Sequence, residues 1–292
     1  MTQEPEGRWA GHDVRHWSDV RFQGHLDALT GIGRGPVVVV DSTGSTNADV
    51  ADQARQGAPA GFTVVAHEQV SGRGRLDRVW TSPVGAGVAM SILVRPDVPV
   101  ARWGWLPLLA GLGVIDVCHE VGLEAGLKWP NDIIVESIGL DGRPSPRKLG
   151  GILVERVDNT LDGDGDSAVI GIGLNIDLMV DELPIPTATS FRLEGVAVER
   201  ELVVAHILDR VMSVVQRWEA TGGEVDDSGL RDRYRAICST IGRKVRVDQP
   251  GGAVVRGLAV DVDSSGALSI ETPNGELAVV MAGDIVHLRA DE

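Results

Sequence analysis

From residue 127 three strand-like runs follow one another with no helix between them: "LKWPNDIIVE", "KLGGILVERV" and "AVIGIGLNID". Only the loops "SIGLDGRPSPR" and "DNTLDGDGDS" separate them. Connections of that length make consecutive strands antiparallel neighbours, so this part of the chain does not repeat the strand–helix–strand unit of a doubly wound sheet. Upstream, "PVVVVD" (36–41), "FTVVAHEQ" and "GVAMSILVRP" read as further strands, the last ended by Pro96. Between the first two, "STGSTNADVADQARQG" offers Ser45 or Thr46 as the N-cap of a helix stopping at Gly57. "LPLLAGLGVIDVCHEVG" is apolar around most of its circumference and predicts a deeply buried helix. A long helix over "ERELVVAHILDRVMSVVQRWEA" and a shorter one around "LRDRYRAIC" follow. Strands in runs, with helices among them but no strict alternation, predict an α+β fold: a mixed sheet with packed helices.

The pattern changes near Cys238. Beyond it the chain is nearly all short strands and turns, "KVRVD", "VVRGLAVDVD", "ALSIET" and "ELAVVMAGDIVHLR", with Asn274-Gly275 as a hairpin signal. Evenly spaced short strands predict a small, separate β-barrel. The expected plan is an N-terminal extension over 1–35, helical in part because Trp17, Val20, Leu26 and Leu29 fall at helical spacing, a large α+β domain over 36–237, and a barrel over 238–292. With 292 residues and 43% hydrophobic content, the chain can fill both cores.

The formal net charge of -15 repels phosphate backbones and anionic lipid, so nucleotide chemistry must rest on a local cationic site and no broad nucleic-acid face is expected. Cys118 and Cys238 are too few for a disulfide framework and fit a reducing compartment. No apolar run approaches the ~18 residues of a membrane span, and the N-terminus lacks the basic start and apolar stretch of a secretion signal. A cytoplasmic protein without a membrane partner is the expectation.

Against that acidic background "GRGRLDRVW" (72–80) concentrates three arginines and two glycines. Gly72 and Gly74 allow close approach of backbone to ligand, and Arg73, Arg75 and Arg78 can grip phosphate oxygens bidentately. The alternative is a solvated turn whose arginines face Glu68 and Asp77. Trp80 is either a platform for a purine ring or a core side chain. In "LKWPND" the proline fixes a bend from which Lys128, Asn131 and Asp132 project, or else the string is an ordinary capped turn. Lys148 opens "KLGGILVE", whose paired glycines mark either a close approach or a bulge. Asn175 ends "GIGLN" with a side chain suited to an amide or a purine edge. There is no G-x-x-x-x-G-K-[ST] phosphate loop, and "GIGLNI" and "GLGVID" lack the third glycine of a dinucleotide fingerprint. "DGDGD" (162–166) lacks the glycine and glutamate of a calcium loop, and His12 with His16 has no third ligand, so neither is assigned a metal.

Taken together and in this order, "GSTN" (44–47), "EQVSGRGR" (68–75), "KWPND" (128–132), "KLGGIL" (148–153) and "GIGLN" (171–175) resemble the biotin protein ligase family. The resemblance implies a mixed-sheet core related to class II aminoacyl-tRNA synthetases and an SH3-like C-terminal barrel. It further implies formation of biotinyl-5'-AMP from biotin and ATP with Mg²⁺, then transfer of biotin to a lysine of a biotin carboxyl carrier protein domain. Carried over by position, Ser45, Thr46, Asn47 and Gln69 line the biotin pocket, joined by Arg73, Gly74, Arg75 and Lys148. Arg75, Trp80, Lys128, Asn131, Asp132 and Asn175 face ATP, with Trp80 stacking on adenine. Lys148, Lys128 and Arg73 carry the chemistry, and no metal ligand is assigned. Residues 71–78 are expected to close over the ligand. Asp77 stands where the family commonly has glycine, "KLGG" replaces the more frequent "KLAG", and about 36 residues before the first strand are too few for a winged helix-turn-helix. A lipoate ligase and a non-catalytic biotin-binding regulator are the rival readings.

Overall fold

The run "AVIGIGL" contains no charged residue to turn toward water, and it becomes the middle of a sheet buried on both faces: Ala168, Val169, Ile170, Ile172 and Leu174 are all buried. The structure is a computed structural model that describes residues 15–29, 35–76, 78–138, 142, 144–158 and 166–288. Asp77, His12 and residues 162–165 of the "DGDGD" string lie outside the described residues.

Seven strands, β1 (Val37–Thr43), β2 (Thr63–Gln69), β3 (Gly87–Val94), β4 (Gly126–Lys128), β5 (Asp132–Ile138), β6 (Pro144–Val157) and β7 (Ser167–Asn175), make one sheet in the order β1-β2-β3-β7-β6-β5-β4. Only β1 and β2 pair in parallel; every other neighbouring pair is antiparallel. The parallel pair is the one with a helix between its strands, α2 (Thr46–Arg55). "LKWPNDIIVE" is two strands rather than one, because Trp129–Pro130 is a cis peptide inside the turn joining β4 to β5. Both readings of the paired glycines hold. Pairing slips between Ile133↔Gly150 and Ile134↔Lys148, so Leu149 is a bulge, and a Cβ on Gly150 would fall 2.5 Å from Gly173 O.

The apolar helix α3 (Leu106–Glu120) is buried as expected and packs against α4 (Arg200–Glu219). Gly113 permits the approach: a Cβ there would sit 2.8 Å from Val211 N. A 3₁₀ turn over Val100–Trp105 runs into α3, so the helical segment Val100–Glu120 is 21 residues long, and an 18-residue stretch of it has a mean hydropathy of 1.3. By length and composition that is enough to cross a membrane, contrary to the expectation that no stretch approaches that length, but 67% of the stretch is buried inside the fold.

Beyond α5 (Leu230–Ile237) the strands β8 (Lys244–Asp248), β9 (Val254–Val262), β10 (Leu268–Glu271), β11 (Leu277–Val280) and β12 (Asp284–His287) form an antiparallel sheet ordered β11-β10-β9-β8-β12. "ELAVVMAGDIVHLR", read as one strand, is divided because its halves occupy opposite ends of that order: β11 pairs with β10 and β12 with β8. This unit is anchored to the large sheet by indole donors. Trp105 Nε1 donates to Asp263 O at 3.1 Å and Trp129 Nε1 to Gly266 O at 3.0 Å. Ser239 N donates to Leu127 O at 2.7 Å, so the connecting segment runs alongside β4. Helix α1 (Asp19–Ala28) falls where the periodicity at its start predicts, with Ser18 accepting from Arg21 N as its cap.

Candidate active site

A cavity of about 1040 Å³ lies between the large sheet, the arginine-rich loop and the C-terminal strands. The residues that the resemblance places at biotin and ATP, Ser45, Thr46, Asn47, Gln69, Arg73, Gly74, Arg75, Trp80, Lys128, Asn131, Asp132, Lys148 and Asn175, line it, whereas Gly72 does not.

One end is neutral and dense in hydrogen-bonding groups. β1 hands over to α2 at Ser45, which takes the N-cap position without a side-chain cap bond. Thr46 N and Oγ1 lie 2.8 and 3.0 Å from Gln69 Oε1, which leaves the Gln69 NH₂ to act as donor. Asn47 is held from below, donating to Glu155 Oε2 at 2.6 Å, and Ser91 Oγ lies 2.6 Å from its Oδ1 and 2.7 Å from Thr46 Oγ1. A Cβ on Gly171 would fall 2.1 Å from Asn47 Oδ1, so the glycine of "GIGLN" makes room for this amide. Ser91 and Glu155 were not found from the sequence, because a serine in an apolar strand and a glutamate in a mixed one carry no local signal.

The other end is cationic. The loop folds into a narrow hairpin: Arg73 bridges Val79, Gly74 N donates to Arg78 O at 2.6 Å and Trp80 N to Gly72 O at 2.9 Å. Leu76 carries the positive φ of the turn, +53°. Gly72 is required sterically, since its Cβ would lie 2.3 Å from Trp80 O, whereas a Cβ on Gly74 would meet only ordinary contacts at 3.5 Å. Arg73 is exposed. Arg75 is partly buried, with Nη1 3.4 Å from Asn131 Oδ1; burial pushes its guanidinium pKa down, while Asp284 and Asp132 oppose that. Arg78 is paired with Asp284 of β12.

Lys148 Nζ donates to Asp132 Oδ1 at 2.5 Å and lies 5.9 Å from the Trp80 ring centroid. Burial lowers the Lys128 pKa; Asp132 opposes the shift and Lys148 adds to it. Asp132 is thus one carboxylate facing two ammonium groups. The Trp80 ring lies on β7, where a Cβ on Gly173 would come within 2.6 Å of it. Asn175 Nδ2 donates to Thr189 O at 2.9 Å, and its Oδ1 is buried without a partner among the described residues. That is an acceptor left for a ligand donor such as an exocyclic amine.

The third wall was not found from the sequence at all: Arg243, Asp248, Asp284 and His287 come from the C-terminal strands. Burial, with the charges of Lys128 and Arg243, pushes the His287 imidazole down to about 4. Among the described residues no group of three or more His, Cys, Asp or Glu side chains could hold a metal ion. The hard oxygen donors nearest the cations, Asp132 and Asp284, are each already paired with one. The arrangement fits an elongated ligand with a neutral hydrogen-bonding head at the Ser45–Gln69 end and a polyanion at the Lys128–Lys148 end.

The family described as "Biotin/lipoate A/B protein ligase family" matches residues 39–175, and "Biotin protein ligase C terminal domain" matches 240–288. The biotin--[acetyl-CoA-carboxylase] ligase of Mycobacterium tuberculosis is 39% identical over 272 residues, covering 90% of this chain and 94% of that one. The bifunctional ligase/repressor BirA of Bacillus subtilis is 32% identical over 246 residues, 80% of this chain and 69% of that one. Among solved structures, the biotin protein ligase from Aquifex aeolicus in complex with biotin and ATP superposes with a TM-score of 0.69 at 23% identity, over 87% of this chain and 99% of that one. At that identity the likeness is one of fold, the mixed sheet and the small antiparallel unit alike.

Proposed function

The chain belongs to the biotin/lipoate A/B protein ligase family, and from that premise we propose that it joins biotin to ATP as biotinyl-5'-AMP and passes biotin to a lysine of a biotin carboxyl carrier protein domain. The observation that carries this reading is the single cavity in which a neutral amide and hydroxyl cluster faces a cluster of lysines and arginines across a tryptophan. The identity to a biotin--[acetyl-CoA-carboxylase] ligase favours biotin over lipoate. Activation is assigned to residues 36–237, and Arg243, Asp248 and the β12 segment close the cavity from the far side. The acidic surface and the two buried free thiols support a cytoplasmic setting without nucleic acid or membrane.

In the first step a carboxylate attacks the α-phosphorus of a polyanion, and the barrier is like-charge repulsion. Two unit charges ~4 Å apart interact by about 4 kcal/mol at an effective dielectric near 20, so a few fixed cations offset much of it. Lys128 ends β4, Lys148 lies within β6 beside its bulge, and Arg73, Arg75 and Arg78 stand on the loop. Their part is positioning and electrostatic stabilisation, and no side-chain nucleophile is needed. Phosphate oxygens join Asp132 on Lys148 and Asp284 on Arg78. These carboxylates are oxygen donors of the type Mg²⁺ prefers, and magnesium would supply further neutralisation of the phosphate chain. Ser45, Thr46, Asn47 and Gln69 orient the ureido ring, Trp80 stacks on adenine, and the Asn175 carbonyl accepts from its amino group. The loop over 71–78 then shields the mixed anhydride from water until the carrier lysine arrives.

Incubating the chain with biotin, ATP, Mg²⁺ and a carboxyl carrier domain tests this through the carrier's mass, which should rise by one biotinyl group. ATP use with lipoate but not with biotin would reverse the choice of acid. Biotin binding without carrier labelling would return the non-catalytic reading. Protease cleavage in the arginine-rich loop should slow when biotin and ATP are both present, and equal cleavage with and without them would remove the shielding role.

A further inference from the structure

We propose that His287 on β12 donates a hydrogen bond from Nδ1 to an anionic oxygen of the nucleotide's phosphate chain, so that the C-terminal barrel shares in binding the leaving pyrophosphate. The inference rests on the adenylate-forming reading.

The tautomer follows from the neighbours. Trp129 N donates to Thr240 Oγ1 at 3.1 Å, and that oxygen lies 3.2 Å from His287 Nε2. Thr240 is fully buried, and among the described residues its hydroxyl hydrogen has one acceptor, His287 Nε2. A ring that accepts at Nε2 and is neutral carries its proton on Nδ1. That Nδ1 is buried and has no partner among the described residues. Buried donors are almost always satisfied, and an exception at the wall of a ligand cavity points to the ligand.

The surroundings specify an anion. His287 lines the cavity together with Lys128 and Arg243, and the charges of those two are what, besides burial, disfavour the imidazolium. The carboxylate on the same strand, Asp284, is engaged by Arg78. Asp132, the carboxylate nearest Lys128, is engaged by Lys148. Arg243 is paired with Glu136 at 2.7 Å, and Asp248, a further carboxylate on this wall, is held by Arg246. A group of oxygens entering here therefore meets Lys128, an Arg243 that can exchange Glu136 for it, and the neutral donor of His287. In the reaction pyrophosphate gains charge as the bond from the α-phosphorus breaks, and a donor beside Lys128 stabilises that change. Nothing in "GDIVHL" predicts this from the sequence; the residue reaches the cavity only because β12 pairs with β8 beside the Trp129 turn.

The two ring nitrogens can be separated by substitution, because asparagine reproduces a donor at the Nδ1 position and glutamine one at Nε2. In the full chain, biotin-dependent exchange of pyrophosphate into ATP is the readout. His287→Asn should keep the KM for ATP within about threefold of wild type, whereas His287→Gln should raise it about tenfold, the worth of one hydrogen bond to a charged group, with the KM for biotin unchanged. The reverse ranking would assign the residue to Thr240 and overturn the proposal, as would equal loss in both variants or none in either. If neither variant folds, the wild-type chain labelled with ¹⁵N-histidine and titrated with magnesium pyrophosphate decides: an Nδ1 resonance that does not move overturns it. A wild-type chain with no biotin-dependent exchange would overturn the adenylating reading itself, a result separate from any ranking of the variants.

Discussion

The cavity wall built by the large sheet and the wall built by the barrel hold their side chains in different ways. On the sheet side two side chains have steric sockets, Asn47 over Gly171 and Trp80 over Gly173, and the amide groups of Asn47 and Asn131 are tied to β6, through Glu155 and Ile152 O. On the barrel side Asp284 meets Arg78 in a pair whose side chains are 39% and 64% exposed, and among the described residues His287 is fixed through one nitrogen only. The first wall is set before ligand arrives, and the second has contacts that a polyanion can exchange for its own. A site with one rigid and one exchangeable wall separates recognition of the neutral head from capture of the phosphates.

Substitutions on the two walls should therefore fail differently. The largest effect is expected from Lys148→Ala, which removes a cation held on the rigid wall: adenylate formation should drop by about 10²- to 10³-fold, the typical cost of one preorganised electrostatic group. Its pair with Asp132 is partly exposed, so the melting temperature should hardly change. Near-normal pyrophosphate release would remove Lys148 from the chemistry. Gly171→Ala comes next. The new methyl would press on Asn47 Oδ1 and dislodge the amide from Ser91 and Glu155, raising the KM for biotin about tenfold or more while affecting ATP less. A larger change for ATP than for biotin would exchange the assigned ends of the cavity.

The junction between the walls is probed by Gly266→Ala. Gly266 has φ +87° and a Cβ there would lie 2.7 Å from Gly104 C, so the protein should lose about 1–3 kcal/mol by denaturant unfolding. No loss would mean that the barrel docks more loosely than the Trp129–Gly266 bond implies. The smallest effect is in pH. His287 has a folded value of about 4 against an ordinary 6.5, a depressed pKa, so its contribution to stability is full above 6.5 and is lost as pH falls toward 4. Melting temperature followed across that window should fall a few degrees less for His287→Gln than for wild type, and identical profiles would mean that the ring is not held neutral by the fold.

The strands, the buried helices and the α+β class could be read locally, because apolar periodicity and the glycine and proline breaks act over a few residues. Cis Pro130 and the division of "ELAVVMAGDIVHLR" could not, since both depend on which strand the next segment pairs with. Of the sheet wall, the residues in short polar motifs were visible. Ser91, buried beneath Asn47 and Thr46, was not, because a serine among "GVAMSILV" gives no sign of what lies above it. Arg243 and His287 have no motif at all.

The sequence by itself determined most of the strands and helices along the chain, the change of pattern near Cys238 and the concentration of arginines and glycines over 72–80, which are consequences of side-chain type and spacing; the set of polar residues facing one cavity came from the family resemblance of its short motifs. Only the tertiary structure decided that β12 lies against β8 beside the Trp129 turn, bringing His287 within reach of Thr240 and Asp284 within reach of Arg78. Electrostatic and hydrogen-bonding forces act through space over a few ångströms, and residues separated by 206 positions become neighbours only when a core has folded between them.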